Sequence, residues 1–324
     1  MRRTVKTVLA AVLAGAMAFS MMVSAKETVT VGSMKGPTTM GIVSLGVPML
    51  EKEEANTYEK TMVTAADELT AMVINEEVDI ALVPANVAGI LYNKTQGGVK
   101  VIDINTLGVL YVVECGDSIA SIEDLKGKTV YLTGKGTSPD FVAQYLLNQH
   151  GLTTEDVKLE YKSEPAEVVA VLAEDENAVG LLPQPFVTVA SMQNDKLRIA
   201  LDLTEEWEAV QDDGSSLVTG VTVVRTSYLE ENEDAVKGFL ADHEMSAAYT
   251  NEHVEEAAGL IESLEIVPKA AIAQKAIPYC NITYVDGAEM QEALSGYLQA
   301  LYDLEPTSIG GAMPGEDFYY IAEQ

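Results

Sequence analysis

Cysteine, histidine, tryptophan and arginine are all scarce in this 324-residue chain. The two cysteines, Cys115 and Cys280, form no CxxC, and His150, His243 and His253 have no ligand-like spacing, so no metal or other cofactor is expected. The histidines read as surface or helix-end residues. Cys115 and Cys280 fall in segments assigned to different layers and read as free thiols, one disulfide being the alternative in an exported protein. No apolar run beyond residue 25 is long enough to cross a membrane.

The first residues have a different character. Arg2, Arg3 and Lys6 precede an apolar run from Val8 to Phe19, and Val23-Ser24-Ala25 offers a small-residue cleavage site. This layout predicts a secretory signal peptide over 1–25 and a mature chain from Lys26. With no cysteine near the cleavage point, no N-terminal lipid anchor is expected. The chain is then exported and soluble, on the periplasmic or extracellular side of the membrane. Beyond residue 25 stand 17 basic and 50 acidic residues, a net charge of −33, which repels phosphate backbones and anionic membranes and speaks against nucleic-acid binding.

About 300 residues suffice for two domains. Short β-branched runs alternate with helical patterns: Thr28–Ser33, Tyr58–Ala65, Val78–Ala85, Lys100–Thr106 and Gly108–Glu114 read as strands. Met40, Val43, Val47 and Leu50 give helical spacing after the first, with Pro48 a kink or an end. A second alternating block runs from Ser121 to Leu203, and Ser216–Leu229 returns as one long β-branched run. Nearly everything after it reads as helix. Alternation of this kind implies an α/β fold with mainly parallel sheets flanked by helices. The long extended runs look like chain crossings, so 26–110 with 222–324 should form one lobe and 111–221 the other, with two crossover strands as a hinge and a cleft between.

In such sheets ligands bind beyond the carboxyl ends of the strands, at helix starts. Four junctions there are unusual: Lys35-Gly36-Pro37-Thr38-Thr39, Pro84-Ala85-Asn86, Gly134-Lys135-Gly136-Thr137-Ser138 and Pro183-Gln184-Pro185-Phe186. Glycine lets backbone approach a ligand, proline sets φ without needing a donor, and Thr38, Asn86, Thr137 and Ser138 are good N-caps. Each junction alone is an ordinary capped helix start. The GKGTS run lacks the GK[ST] ending of a phosphate-binding loop, which excludes nucleotide hydrolysis by that route. There is no G-x-S-x-G elbow, and Ser138 beside Lys135 is explained by capping without a nucleophile, so no catalytic residue is assigned.

The strand–Gly-Pro–helix opening, "VDIALVPANVA", "SIEDLKGKTVYLTGKGTSPDFVAQYLLNQHGLTTEDVKLEY" and "AVGLLPQPF" resemble the periplasmic-type substrate-binding proteins of ABC importers, most closely the nitrate/sulfonate/taurine and thiamine-precursor group. The resemblance implies the two-lobe type II binding-protein fold, a small-molecule ligand captured between the lobes, delivery to a membrane permease, and no catalysis; a monomer is expected. Carried over, the first lobe offers Gly36, Pro37, Thr38 and Asn86, and the second Thr137, Ser138 and Gln184 with Phe186 as a wall. Tyr111 and Thr219 lie on the crossings at the cleft floor. Only Arg198 and Arg225 remain after residue 25, neither at a junction, and Lys35 and Lys135 are the nearby cations. That favours a neutral or heterocyclic organic ligand, with an oxyanion such as nitrate or a sulfonate as the alternative. An exported enzyme or a ligand sensor on the same fold is the reading of another class.

Overall fold

The structure, a computed structural model, describes residues 26–47, 54–211 and 215–322; the leader, Pro48 and Leu50 lie outside them. The chain opens with β1 (Thr28–Met34), α1 (Pro37–Met40), β2 (Thr57–Val63), α2 (Ala66–Ile74), β3 (Ile80–Pro84), α3 (Ala85–Thr95) and β4 (Val99–Thr106). It continues through β5 (Leu110–Glu114), β6 (Thr129–Leu132), α4 (Ser138–Gln149), β7 (Lys158–Tyr161), α5 (Pro165–Glu174), β8 (Val179–Pro183), α6 (Phe186–Gln193), β9 (Arg198–Asp202) and α7 (Leu203–Val210). It returns through β10 (Gly220–Arg225) and ends with α8 (Thr226–Glu231), α9 (Glu233–Glu252), α10 (Val254–Ser263), α11 (Ala270–Ala276), β11 (Ile282–Val285) and α12 (Gly287–Leu304).

These strands make two sheets, ordered β11-β4-β10-β3-β1-β2 and β7-β6-β8-β5-β9. In the first, β1 to β4 point one way, and β10 and β11 run against them. In the second, β5 alone opposes the other four. Both sheets are thus mixed around a parallel majority, for a geometric reason. The chain leaves β4 at its carboxyl end, crosses through Leu107–Val109, and enters the second sheet where β8 ends, with Leu110 opposite Pro183. A strand entering at the carboxyl edge must run backwards. β10 repeats this on the return, with Gly220 opposite both Pro84 and Thr106.

Several local expectations need correction. α1 is a single turn, not a helix through Val43 and Val47: Gly46 takes a left-handed φ of 76°, and Ile42, Val43 and Leu45 are buried in turns. The Ser216–Leu229 run divides, because Thr226 donates its hydroxyl to Gly97 O and α8 begins there. α7 was not anticipated, although Asp202 caps it through the Thr204 N–H and buried Leu203 and Trp207 stand four apart. β11 is four residues between helices. His243 is fully buried, not at the surface.

One apolar core runs from Val83, Ala88 and Leu91 through Met290, Leu294 and Leu298 of α12 to Leu146, Leu147 and Trp207. α12 therefore packs against elements of both sheets. Trp207, the only tryptophan, lies 4.7 Å from the Tyr145 ring and 5.4 Å from that of Tyr297.

Candidate ligand-binding site

The carboxyl edges of the two sheets face each other across the crossing segments, and backbone bonds tie each crossing to the sheet it leaves or enters. Gln184 N donates to Val109 O, Thr219 N to Thr106 O, and Ala85 N to Thr219 O, each at 3.0 Å. Asn281, at a left-handed φ of 42°, donates its side-chain amide to Gly108 O and accepts from Leu107 N–H.

Six of the expected residues form a connected series. Gly36 opens α1 at φ 147°, Pro37 is its first residue, and Thr38 lies over Gly220: a methyl group on Gly220 would stand 2.6 Å from Thr38 Cγ2. Thr219, next to Gly220, holds Ala85, and Asn86 beyond it accepts the Ser138 hydroxyl at 3.0 Å. That last bond joins a helix of the first sheet to a helix of the second, with both side chains buried.

The hydroxyls expected as caps are turned elsewhere. Thr38 donates to Met34 O, Thr137 to Gly134 O and Ser138 to Asn86 Oδ1, while the Asn86 amide donates to Ser308 O. None of α1, α3, α4 and α6 starts with a side-chain cap bond. The strand-end carbonyls before α1 and α4 need donors, and the nearest hydroxyls supply them. Thr137 therefore serves its own loop. Lys135 stands over the Tyr161 ring, 5.3 Å from its centroid, and Gly136 N–H is taken by the Asp140 carboxylate at 2.7 Å. Phe186 is half-buried against the core around Tyr111 and Val168.

Tyr111 donates its hydroxyl to Tyr279 O at 3.0 Å, across the two sheets, and burial raises its phenol pKa well above the usual value. Beside it opens a gap of about 450 Å³. Gln184, Thr188, Met192 and Ile199 line it from the second sheet; Lys275 and Tyr279 face them from the first. Gln184 Oε1 accepts from the Thr188 N–H and hydroxyl, which leaves its NH2 group free of those bonds. Met192, Ile199 and Tyr279 are exposed by 46, 38 and 51 %. Among the described residues Lys275 is the one charged residue in the lining, and no carboxylate joins it. Neither Arg198 nor Arg225 is in the lining: Arg198 is paired with Glu114 and Arg225 with Asp79.

Lys275, Tyr279 and Asn281 were not anticipated. Of these, Asn281 alone carried a readable signal, since asparagine tolerates the left-handed region. Among the described residues no group of three or more His, Cys, Asp or Glu side chains is placed to hold a metal.

The family described as ABC transporter, phosphonate, periplasmic substrate-binding protein matches residues 49–265, two thirds of the chain, and the chain belongs to it. It is a substrate-binding protein of an ABC import system, with a small-molecule ligand and a permease as its partners, and its family works outside the cytoplasm. The fold is shared with the crystal structure of an ABC transporter from Parabacteroides distasonis, at a TM-score of 0.76 and 24% identity over 92% of this chain and 100% of that one. It is also shared with the periplasmic aliphatic sulphonate binding protein SsuA from Escherichia coli, at a TM-score of 0.73 and 17% identity over 93% and 94% of the two chains. A candidate binding protein of Brucella abortus (strain 2308) is 22% identical over 240 residues, 72% of each chain. The two-lobe binding-protein fold and the binding function expected of the sequence both hold.

Proposed function

We propose that the chain captures a small organic anion with an apolar body, a phosphonate or sulfonate in type, in the gap between α6 and α11. The carrying observation is the lining: one cation, no carboxylate and three half-exposed apolar side chains, in a chain with 50 acidic residues. Lys275 meets the charged head, the Gln184 and Thr188 region supplies polar contacts, and Met192, Ile199 and Tyr279 cover the apolar part. The preference for a neutral ligand rested on the lack of a cation at the strand ends, and Lys275 answers it. The phosphonate of the family's description and the sulphonate bound by the Escherichia coli relative support the same chemistry.

In this reading 26–110 with 222–324 and 111–221 are the two lobes. A ligand touching both favours their approach by the contacts it gains there. Gly36, Pro37, Thr38, Asn86, Ser138, Thr219 and Tyr111 form the rim and floor, and the chain performs no chemistry on its ligand. It acts as a monomer, exported through the 1–25 leader and carrying no lipid; the mass of the exported chain checks this.

Titration calorimetry with alkylphosphonates, alkanesulfonates and neutral isosteres tests the proposal. Binding confined to the anions, weakened about tenfold or more by Lys275→Gln, is the expected result. Equal binding of a neutral isostere, or an unchanged affinity in Lys275→Gln, would overturn it.

A further inference from the structure

The buried face of α9 is not apolar throughout. His243, Ser246 and Thr250 are three and four residues apart, so they share one face, and all three are 0% exposed. Each turns to the segment that begins with α1. Thr250 Oγ1 lies 3.0 Å from Met40 O and 2.9 Å from Ser246 O of its own helix, so its one proton is shared between the two carbonyls. Ser246 Oγ lies 2.8 Å from Ser44 Oγ, and a methyl group on Gly41 would stand 3.8 Å from His243 Nε2. Behind them, His243 Nδ1 is 3.1 Å from Asp103 Oδ2 on β4, and Asp103 Oδ1 accepts the Thr222 hydroxyl of β10 at 2.7 Å. His243 Nε2 is buried with no hydrogen-bond partner among the described residues.

Burying so many polar groups is unfavourable unless they are hydrogen-bonded, and a bonded set fixes one arrangement where apolar contacts allow several. A four-residue helix cannot hold its own shape, because nucleation costs more than one turn returns. Among the described residues the backbone of the α1 segment closes on itself through Thr39 N and Met40 N to Gly36 O, Gly41 N to Pro37 O, Ile42 N to Thr39 O, Leu45 N to Ile42 O and Val47 N to Ser44 O. Apolar side chains on α9 would pack against it without setting its register.

We propose that Thr250, Ser246 and His243, with Asp103 behind, are positioning residues that fix α1 and thereby Gly36, Pro37 and Thr38 at the rim of the ligand gap. The effect on affinity rests on the ligand reading above; the effect on α1 does not. Residue-resolved hydrogen exchange on the full chain separates the two.

In Thr250→Val, which keeps the shape and removes the hydroxyl, the amides of Met40, Gly41 and Ile42 exchange about five- to tenfold faster, while β3, β4 and the second sheet are unchanged. Thr250→Ser restores the wild-type rates. Ser246→Ala does the same at Leu45 and Val47, and carries the test if Thr250→Val does not fold. Unchanged exchange in the segment, or an equal rise everywhere, overturns the proposal. Affinity for ethylphosphonate is read in parallel: a matching loss in Thr250→Val supports positioning, and full affinity with a loosened segment overturns it. A wild type that does not bind ethylphosphonate counts against the ligand reading, and the exchange result then decides this one.

Discussion

Replacing Ser138 with alanine removes the hydroxyl that joins the start of α4 to the start of α3. In the wild type that hydroxyl donates to Asn86 Oδ1 at 3.0 Å, with Ser138 exposed by 5% and Asn86 by 1%. Asn86 Nδ2 is committed to Ser308 O at 3.1 Å, so the amide cannot turn its oxygen elsewhere without losing that bond. Alanine therefore leaves a buried acceptor unpaired, a loss of about 1–3 kcal/mol, offset by about 0.5 kcal/mol of helix propensity. The two helices are carried by different sheets, so the loss falls on the seam between them. Urea unfolding followed by Trp207 fluorescence reads it directly, since this lone tryptophan lies in the same core against Tyr145 and Tyr297. A cycle with Asn86→Ala should show coupling of about 0.5–1.5 kcal/mol. If Ser138→Ala loses less than about 0.5 kcal/mol and the cycle is additive, the bond does not form in solution and the seam is held by apolar packing alone.

Gly220→Ala places a methyl group 2.5 Å from Asn105 Oδ1 and 2.6 Å from Thr38 Cγ2, and should cost about 1–3 kcal/mol in chemical denaturation; a neutral result would show that α1 yields there. Burial acts to raise the Glu114 pKa, but the Ser118 hydroxyl, the Ile119 N–H and the Arg198 guanidinium outweigh it and hold the carboxyl below its ordinary 4.5. Its stabilising contribution is therefore complete above that value and lost as pH falls through the depressed one. Melting temperatures between about pH 6 and pH 3 should fall less steeply in Glu114→Gln, and parallel curves would refute the assignment. Cys280 is fully buried, its thiol pushed up to about 12 by burial, and Cys115 is a separate, partly buried free thiol. Thiol titration should find Cys280 unreactive until the chain unfolds. Fast labelling of Cys280 in the native protein, or two thiols missing after unfolding, would contradict this.

What was legible in the sequence was local. Gly36-Pro37, Pro84, the GKGTS loop and Pro183-Gln184-Pro185 all mark strand ends, because a chain leaving a strand for a helix needs residues that set φ or tolerate close approach. The alternation of strands and helices gave the α/β class for the same reason. What was hidden depends on contacts between distant segments. Tyr111 and Tyr279 are 168 residues apart and meet only because two carboxyl edges face each other. Lys275 looks like any exposed helix lysine until α11 is set opposite α6. His243 is one polar residue in a helical pattern, and its burial follows from Asp103 on a strand 140 residues earlier. The helix expected through Val47 failed because apolar spacing there serves a buried turn as well as it would a helix.

The two sides of the molecule resist separation very differently. Parting the sheets along α12 would bare Trp207, Leu294, Tyr297 and Leu298, all 0% exposed. At about 1.5–3 kcal/mol for each large apolar side chain, that motion would cost about 6–12 kcal/mol before any polar bond is counted. Along the gap the described contacts are thinner: the Tyr111 hydroxyl on Tyr279 O, and Val189 of α6 half-buried against the core that holds Ile272 and Ala276. Met192, Ile199 and Tyr279 are already half in water there, so widening the gap exposes little that is dry. Packing therefore makes widening on the side where Lys275 faces Gln184 cheaper than parting the sheets along α12.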